Sequence, residues 1–135
     1  MKRILTIALA AIGLTACSSD DTKESPVNLE HLTQRWYYVS YKLGDQTTPY
    51  DGHMPCGKDY LEFQEGNAVR DVDYFDCQED PTIATGTYTA NEENLSIVID
   101  GVTENYTMKK LNSQTLETQA TLNGATITYI YTSTP

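Results

Sequence analysis

The chain has 135 residues, 39% of them hydrophobic, and a formal charge of −10 from 19 acidic and nine basic side chains. That length suits one domain with a modest core. The charge repels phosphate backbones and argues against nucleic acid as a partner, while ten tyrosines against two phenylalanines favour half-buried β-structure.

Met1-Lys2-Arg3 is a basic start, and Ile4 to Leu14 is an apolar run of 11 residues. Such a run is too short to span a bilayer and suits a secretory signal. It ends in Leu14-Thr15-Ala16-Cys17, which resembles the bacterial lipobox, where the cysteine is acylated and becomes the mature N-terminus. Residues 1–16 are therefore expected to be a lipoprotein signal peptide, and Cys17 the lipidation site. Removal of the leader leaves a charge of −12. Acyl chains on Cys17 would anchor the protein in the bacterial outer membrane, each buried methylene contributing about 0.8 kcal/mol. Ser18 to Val27 is polar, charged and carries a proline, so residues 17–27 are expected to form a flexible tether. Ser19-Asp20-Asp21 resembles the acidic export signal of surface lipoproteins in the Bacteroidota; a plain solvated linker, with no surface export, is the alternative.

The domain is expected over residues 28–135. Asn28 can cap a turn that buries Leu29 and Leu32. Arg35 to Leu43 carries Trp36, Tyr37, Tyr38, Val39 and Tyr41 and reads as the first strand. Gly44 to Asp59 has no periodicity and reads as a long loop over one end. The next strands lie near Asp59–Gln64 and Ala68–Asp76. Gly66-Asn67 favours a two-residue hairpin between them, which sets Leu61 opposite Val72, Phe63 opposite Arg70 and Cys56 opposite Cys77. Facing thiols on antiparallel strands are close to disulfide geometry, and export supplies an oxidising compartment. In that register the bridge lies outside the core unless a bulge re-aims it.

Strands at Thr82–Thr89 and Asn94–Asp100 would turn at Asn91-Glu92, pairing Tyr88 with Leu95 and Gly86 with Ile97. Asp100-Gly101 pairs Ile99 with Val102, Ile97 with Glu104 and Leu95 with Tyr106. Asn112-Ser113 is a weaker turn. Asn123-Gly124 pairs Leu122 with Ala125, Ala120 with Ile127, Thr118 with Tyr129 and Leu116 with Tyr131. Small residues opposite large ones suit a tightly curved sheet. The sum is an all-β fold: an eight-stranded antiparallel up-and-down β-barrel, whose closure removes exposed edges.

The chain resembles the small lipocalin-like lipoproteins of the Bacteroidota over roughly Leu29 to Thr132. The resemblance is carried by the lipobox, the opening strand with Trp36, Cys56 followed by Tyr60 to Phe63, Gly86-Thr87-Tyr88, and Tyr106, Met108 and Leu111. The lipocalin Gly-x-Trp stands here as Gln34-Arg35-Trp36. The resemblance implies a lipocalin-like barrel and a role in binding small hydrophobic molecules.

An enzyme is not expected: there are two histidines, no Gly-rich phosphate loop and no zinc-type Cys/His spacing. No cofactor is implied. Asp71, Asp73, Asp76, Glu79 and Asp80 could suggest calcium, but alternation puts Asp71 and Asp73 on an outer face and the calcium-loop pattern is missing, so no metal is expected. The inward set is Leu61, Phe63, Val72, Tyr74, Gly86, Tyr88, Leu95, Ile97, Tyr106, Met108, Leu116, Tyr129 and Tyr131. From it, with Trp36, come the candidate ligand contacts: Trp36, Phe63, Tyr74, Tyr88, Tyr106, Met108, Tyr129 and Tyr131. Tyrosines offer apolar bodies with hydroxyl handles for a lipid-like or aromatic molecule. Two functions follow: a membrane-anchored, monomeric binding module for a small hydrophobic or aromatic ligand, or a solid-barrel surface protein contacting a protein or polysaccharide.

Overall fold

The computed structural model describes residues 26–135; Cys17, the leader and nearly all of the tether lie outside the described residues. Nine strands follow a 3-10 turn at Leu29–His31: β1 (Arg35–Leu43), β2 (Gln46–Pro49), β3 (Tyr60–Gln64), β4 (Ala68–Asp73), β5 (Thr82–Asn91), β6 (Asn94–Ile99), β7 (Val102–Leu111), β8 (Thr115–Leu122) and β9 (Ala125–Thr132). Every ladder between strands is antiparallel, and β1 also pairs with β9. Eight of the strands close a lipocalin-like up-and-down barrel. The ninth, β2, is an addition within the long loop that folds back on the end of β1.

Turn chemistry sets most of the register. Asp100 and Gly101 both take positive φ (52° and 77°), as do Asn123 and Gly124 (51° and 80°). These are the conformations that match the twist of a two-residue hairpin. The β6–β7 and β8–β9 ladders accordingly have Leu95 opposite Tyr106 and Leu116 opposite Tyr131, as expected.

Two ladders differ from expectation. The β3–β4 connection uses three residues, Glu65–Asn67, with Gly66 and Asn67 at positive φ. Phe63 therefore pairs with Val69 and Leu61 with Asp71. Two apolar residues meet inside, and Glu62 meets Arg70 outside in an ion pair (3.2 Å) that Arg35 extends (2.8 Å). The expected register would have set Arg70 against Phe63. A slip of one residue reverses every side chain of a strand, so Asp71 points inward, while Val72 and Tyr74 point outward. The β5–β6 ladder turns at Glu92-Glu93, pairing Tyr88 with Ile97, Gly86 with Ile99 and Ala90 with Leu95. A slip of two keeps the same faces, so apolar patterning could not separate the two registers.

Cys56 and Cys77 are joined by a disulfide, their Cα atoms 5.4 Å apart. Both are exposed, beyond the ends of β3 and β4 and outside the core.

The core fills the lower half of the barrel. Trp36, Leu61, Phe63, Val69, Tyr88, Leu95, Ile97, Met108, Leu111, Leu116 and Tyr131 are buried together with Val27 and Leu32. Such burial stabilises by about 1.5–3 kcal/mol per large apolar side chain. The N-terminal segment plugs this end: Val27 bridges to Leu111, and the Trp36 indole N–H donates to the Leu32 carbonyl (3.0 Å).

Candidate functional site

The opposite end is the mouth, where the loop between β1 and β3, the β4–β5 connection and the Asp100 and Asn123 hairpins emerge. Alternation from the buried floor upward brings Tyr38, Asp71, Ile99, Glu104, Tyr106, Ala120, Ile127 and Tyr129 onto the inner face here. A depression of about 250 Å³ is lined by Asp71, Ile97, Ile99, Asp100, Val102 and Glu104. Beside it the barrel wall is split. The β7–β8 ladder runs only from Leu111↔Leu116 to Thr107↔Gln119, although both strands continue toward the mouth. The gap is a cleft of about 320 Å³ lined by Thr103, Glu104, Asn105, Tyr106, Ala120, Thr121, Leu122 and Tyr129. Glu104 belongs to both hollows.

Tyrosines organise the walls. The Tyr106 and Tyr129 rings meet edge to face at 6.1 Å, and the Tyr106 hydroxyl donates to Glu104 Oε2 (2.6 Å). Burial, then this bond to a carboxylate, pushes the Tyr106 phenol far up, so it remains a donor. Tyr38 packs on Tyr131 (5.0 Å), and its hydroxyl reaches Asp71 Oδ1 at 3.4 Å. Burial raises the Asp71 carboxyl above the ordinary range; the Tyr38 hydroxyl opposes that, and the negative fields of Asp73, Asp59 and Glu104 add to it. One rung below Ala120, the Thr118 hydroxyl is 2% exposed. It lies beside the Tyr131 phenol yet makes no hydrogen bond of good geometry.

The long loop is pinned over one side of the mouth. Tyr50 stacks on Tyr38 (4.9 Å, 22°) and donates to Asp59 Oδ2 (2.6 Å). Asp59, 1% exposed, also accepts the Tyr74 backbone N–H (2.8 Å). The Asp59 backbone N–H donates to His53 Nδ1 (3.1 Å), which leaves Nε2 to carry the proton donated to the Tyr38 carbonyl (2.7 Å). The hydrogen bonds thus fix the imidazole as the Nε2–H tautomer.

Of the residues singled out from sequence, Tyr106 and Tyr129 line the mouth. Trp36, Phe63, Tyr88, Met108 and Tyr131 lie in the filled floor. Tyr74 is on the outside, its ring over Gly57. Tyr38 and Glu104 escaped notice as site residues, and Asp71, weighed only as a calcium ligand on an outer face, stands on the inner one. Alternation with Tyr106 and Met108 already placed Glu104 inside, and the match of Phe63 to Val69 and Glu62 to Arg70 would have placed Asp71 there. Among the described residues no three His, Cys, Asp or Glu side chains converge on a possible metal site. A groove of about 620 Å³ lies at the closed end between Val27, Leu29 and the β5–β6 tip. Its wall is mostly Asn, Glu and Thr, without aromatic rings.

Residues 32–118 match the lipocalin-like domain family, and the chain belongs to that family. Two crystal structures share the fold. A lipocalin-like protein from Bacteroides uniformis ATCC 8492 is 13% identical with a TM-score of 0.58. An uncharacterized protein from Bacteroides eggerthii DSM 20697 is 11% identical with a TM-score of 0.57. Each alignment covers 76% of this chain and 98% of the other. No curated protein matches the sequence.

Proposed function

We propose that this is a non-catalytic binding protein, anchored to the outer membrane through lipid on Cys17, that holds a small hydrophobic or aromatic molecule at the mouth of its barrel. The observation that carries this is the contrast between the two ends. The floor is filled and plugged, whereas the mouth leaves two adjoining hollows walled by Tyr106, Tyr129, Ile99 and Val102. A ligand of modest size would lie against these walls rather than sink to Trp36. Retention of a small molecule by the exported protein in native mass spectrometry, with loss of retention in a Tyr106→Ala/Tyr129→Ala variant, is the expected result. An empty protein that also gives flat calorimetric titrations across fatty acids, quinones and aromatic probes would refute ligand binding. For the anchor, radiolabelled palmitate should enter the wild-type protein and not Cys17→Ser.

A second function is favoured by the apolar collar of the mouth, where Phe75, Val102, Leu122 and Leu43 are 80%, 62%, 60% and 52% exposed. Exposed apolar residues grouped at one end suit a contact with a protein or polysaccharide partner. Protease treatment of intact cells would tell whether that end is reachable from outside.

A further inference from the structure

We propose that the mouth site selects organic cations: a flat apolar body against Tyr106 and Tyr129, with an ammonium group held by Glu104 and Asp71. This rests on the mouth being a ligand site at all, and adds the chemistry of what it takes.

The first support is where the carboxylates stand. Both project from the inner face of the barrel, Glu104 opposite Ile97 and Asp71 opposite Leu61. They share the wall of one depression with Ile97, Ile99 and Val102. Asp71 is half-buried, and a carboxylate held among aliphatic side chains is costly unless something positive meets it; Glu104 stands exposed at the rim beside it. Among the described residues no lysine or arginine lines either hollow, whereas Glu62 on the outer face is matched by Arg35 and Arg70. The groups facing Asp71 are the Tyr38 hydroxyl and the carboxylates of Asp73, Asp59 and Glu104.

The second support is aromatic. Tyr106 and Tyr129 stand edge to face beside Glu104, which offers a cation both a carboxylate and ring faces. The overall charge of −10 would raise the local concentration of a cation and repel anionic fatty acids. Glu104 bridges the two hollows, so a molecule lying along the β7–β8 split would set its charged end at that residue and its body against the tyrosines.

The test uses three probes with one aromatic body, 2-phenylethylamine, 2-phenylethanol and phenylacetate, titrated calorimetrically into the exported protein at low ionic strength. Expected is amine binding about ten-fold tighter than the alcohol, with phenylacetate weakest. Glu104→Gln/Asp71→Asn should bring the amine down to the alcohol, and Glu65→Gln, on an exposed turn at the closed end, should change neither. A thermal melt of each variant checks that it is folded, and Glu104→Gln alone, at an exposed position, should already lower amine affinity. If alcohol and amine bind equally, or the amine is indifferent to both carboxylate variants, the cation preference is wrong while ligand binding stands. If none of a wider set of aromatic and lipid probes binds either, the ligand reading falls, and this with it.

Discussion

Asp71 stands opposite Leu61 in the β3–β4 ladder, and that one pairing turns a carboxylate into the barrel. Its nearest hydrogen-bond donor is a tyrosine hydroxyl at 3.4 Å rather than a cation. The fold therefore maintains a half-buried acid that does not serve its stability.

Stability should follow pH accordingly. Burial holds the Asp71 carboxyl above its ordinary value of 3.8, so in the window above 3.8 the folded chain keeps a proton that the unfolded chain has released. The stability linked to that proton is complete below 3.8 and is lost as pH rises through the folded value. Asp71→Asn cannot titrate and can still accept from Tyr38. Melting temperatures across about pH 3 to 7 should show the variant gaining on wild type as pH rises; a constant difference would be contrary to this.

Asp59→Ala should cost about 2–4 kcal/mol in denaturant unfolding, because the Tyr50 hydroxyl and the Tyr74 N–H both lose a buried acceptor. Amide exchange should quicken from Gly44 to Lys58 more than in β6 to β9. A small, uniform effect would mean that the loop is held by something other than this carboxylate.

Gly86→Ala should destabilise by about 1–3 kcal/mol. A β-carbon at Gly86 would strike the Val98 carbonyl and the Ile99 side chain across the ladder, where β5 and β6 approach too closely for any side chain. Chemical denaturation measures the loss; a neutral substitution would show that the two strands can part there without penalty.

The closed turns were the most readable part of the chain. Asp100-Gly101 and Asn123-Gly124 each admit one register, because a paired positive φ suits few residue pairs. Gly66-Asn67 carried the same signal but sits in a three-residue turn, and the error of one residue hid Asp71 and misplaced Tyr74. Local turn preference was outweighed there by longer-range pairing, Phe63 on Val69 and Arg70 on Glu62. The Cys56–Cys77 pair survived that error because a disulfide between loop ends tolerates a slip that a ladder does not. How full the barrel is could not be read at all. It depends on where Val27, Leu32 and Trp36 meet, which no local pattern encodes.

Replacing both bridge cysteines, as Cys56→Ser/Cys77→Ser, should lower stability by up to about 3 kcal/mol, the loop-closure contribution for a separation of 21 residues. Since both are exposed, the barrel spectrum should be retained, and the loss should appear as a lower denaturation midpoint with the core intact. Collapse of the fold would indicate that the bridge orders more than the loops it joins.

The most direct measurement is a two-dimensional NMR titration of the protein with 2-phenylethanol and 2-phenylethylamine. Backbone shifts should gather at Glu104, Tyr106, Ala120 and Tyr129, while the Trp36 indole N–H, bonded to Leu32 in the plugged floor, stays still. Shifts confined to Val27, Leu29 and Glu93 at the closed end, or none at millimolar probe, would contradict a ligand site at the mouth.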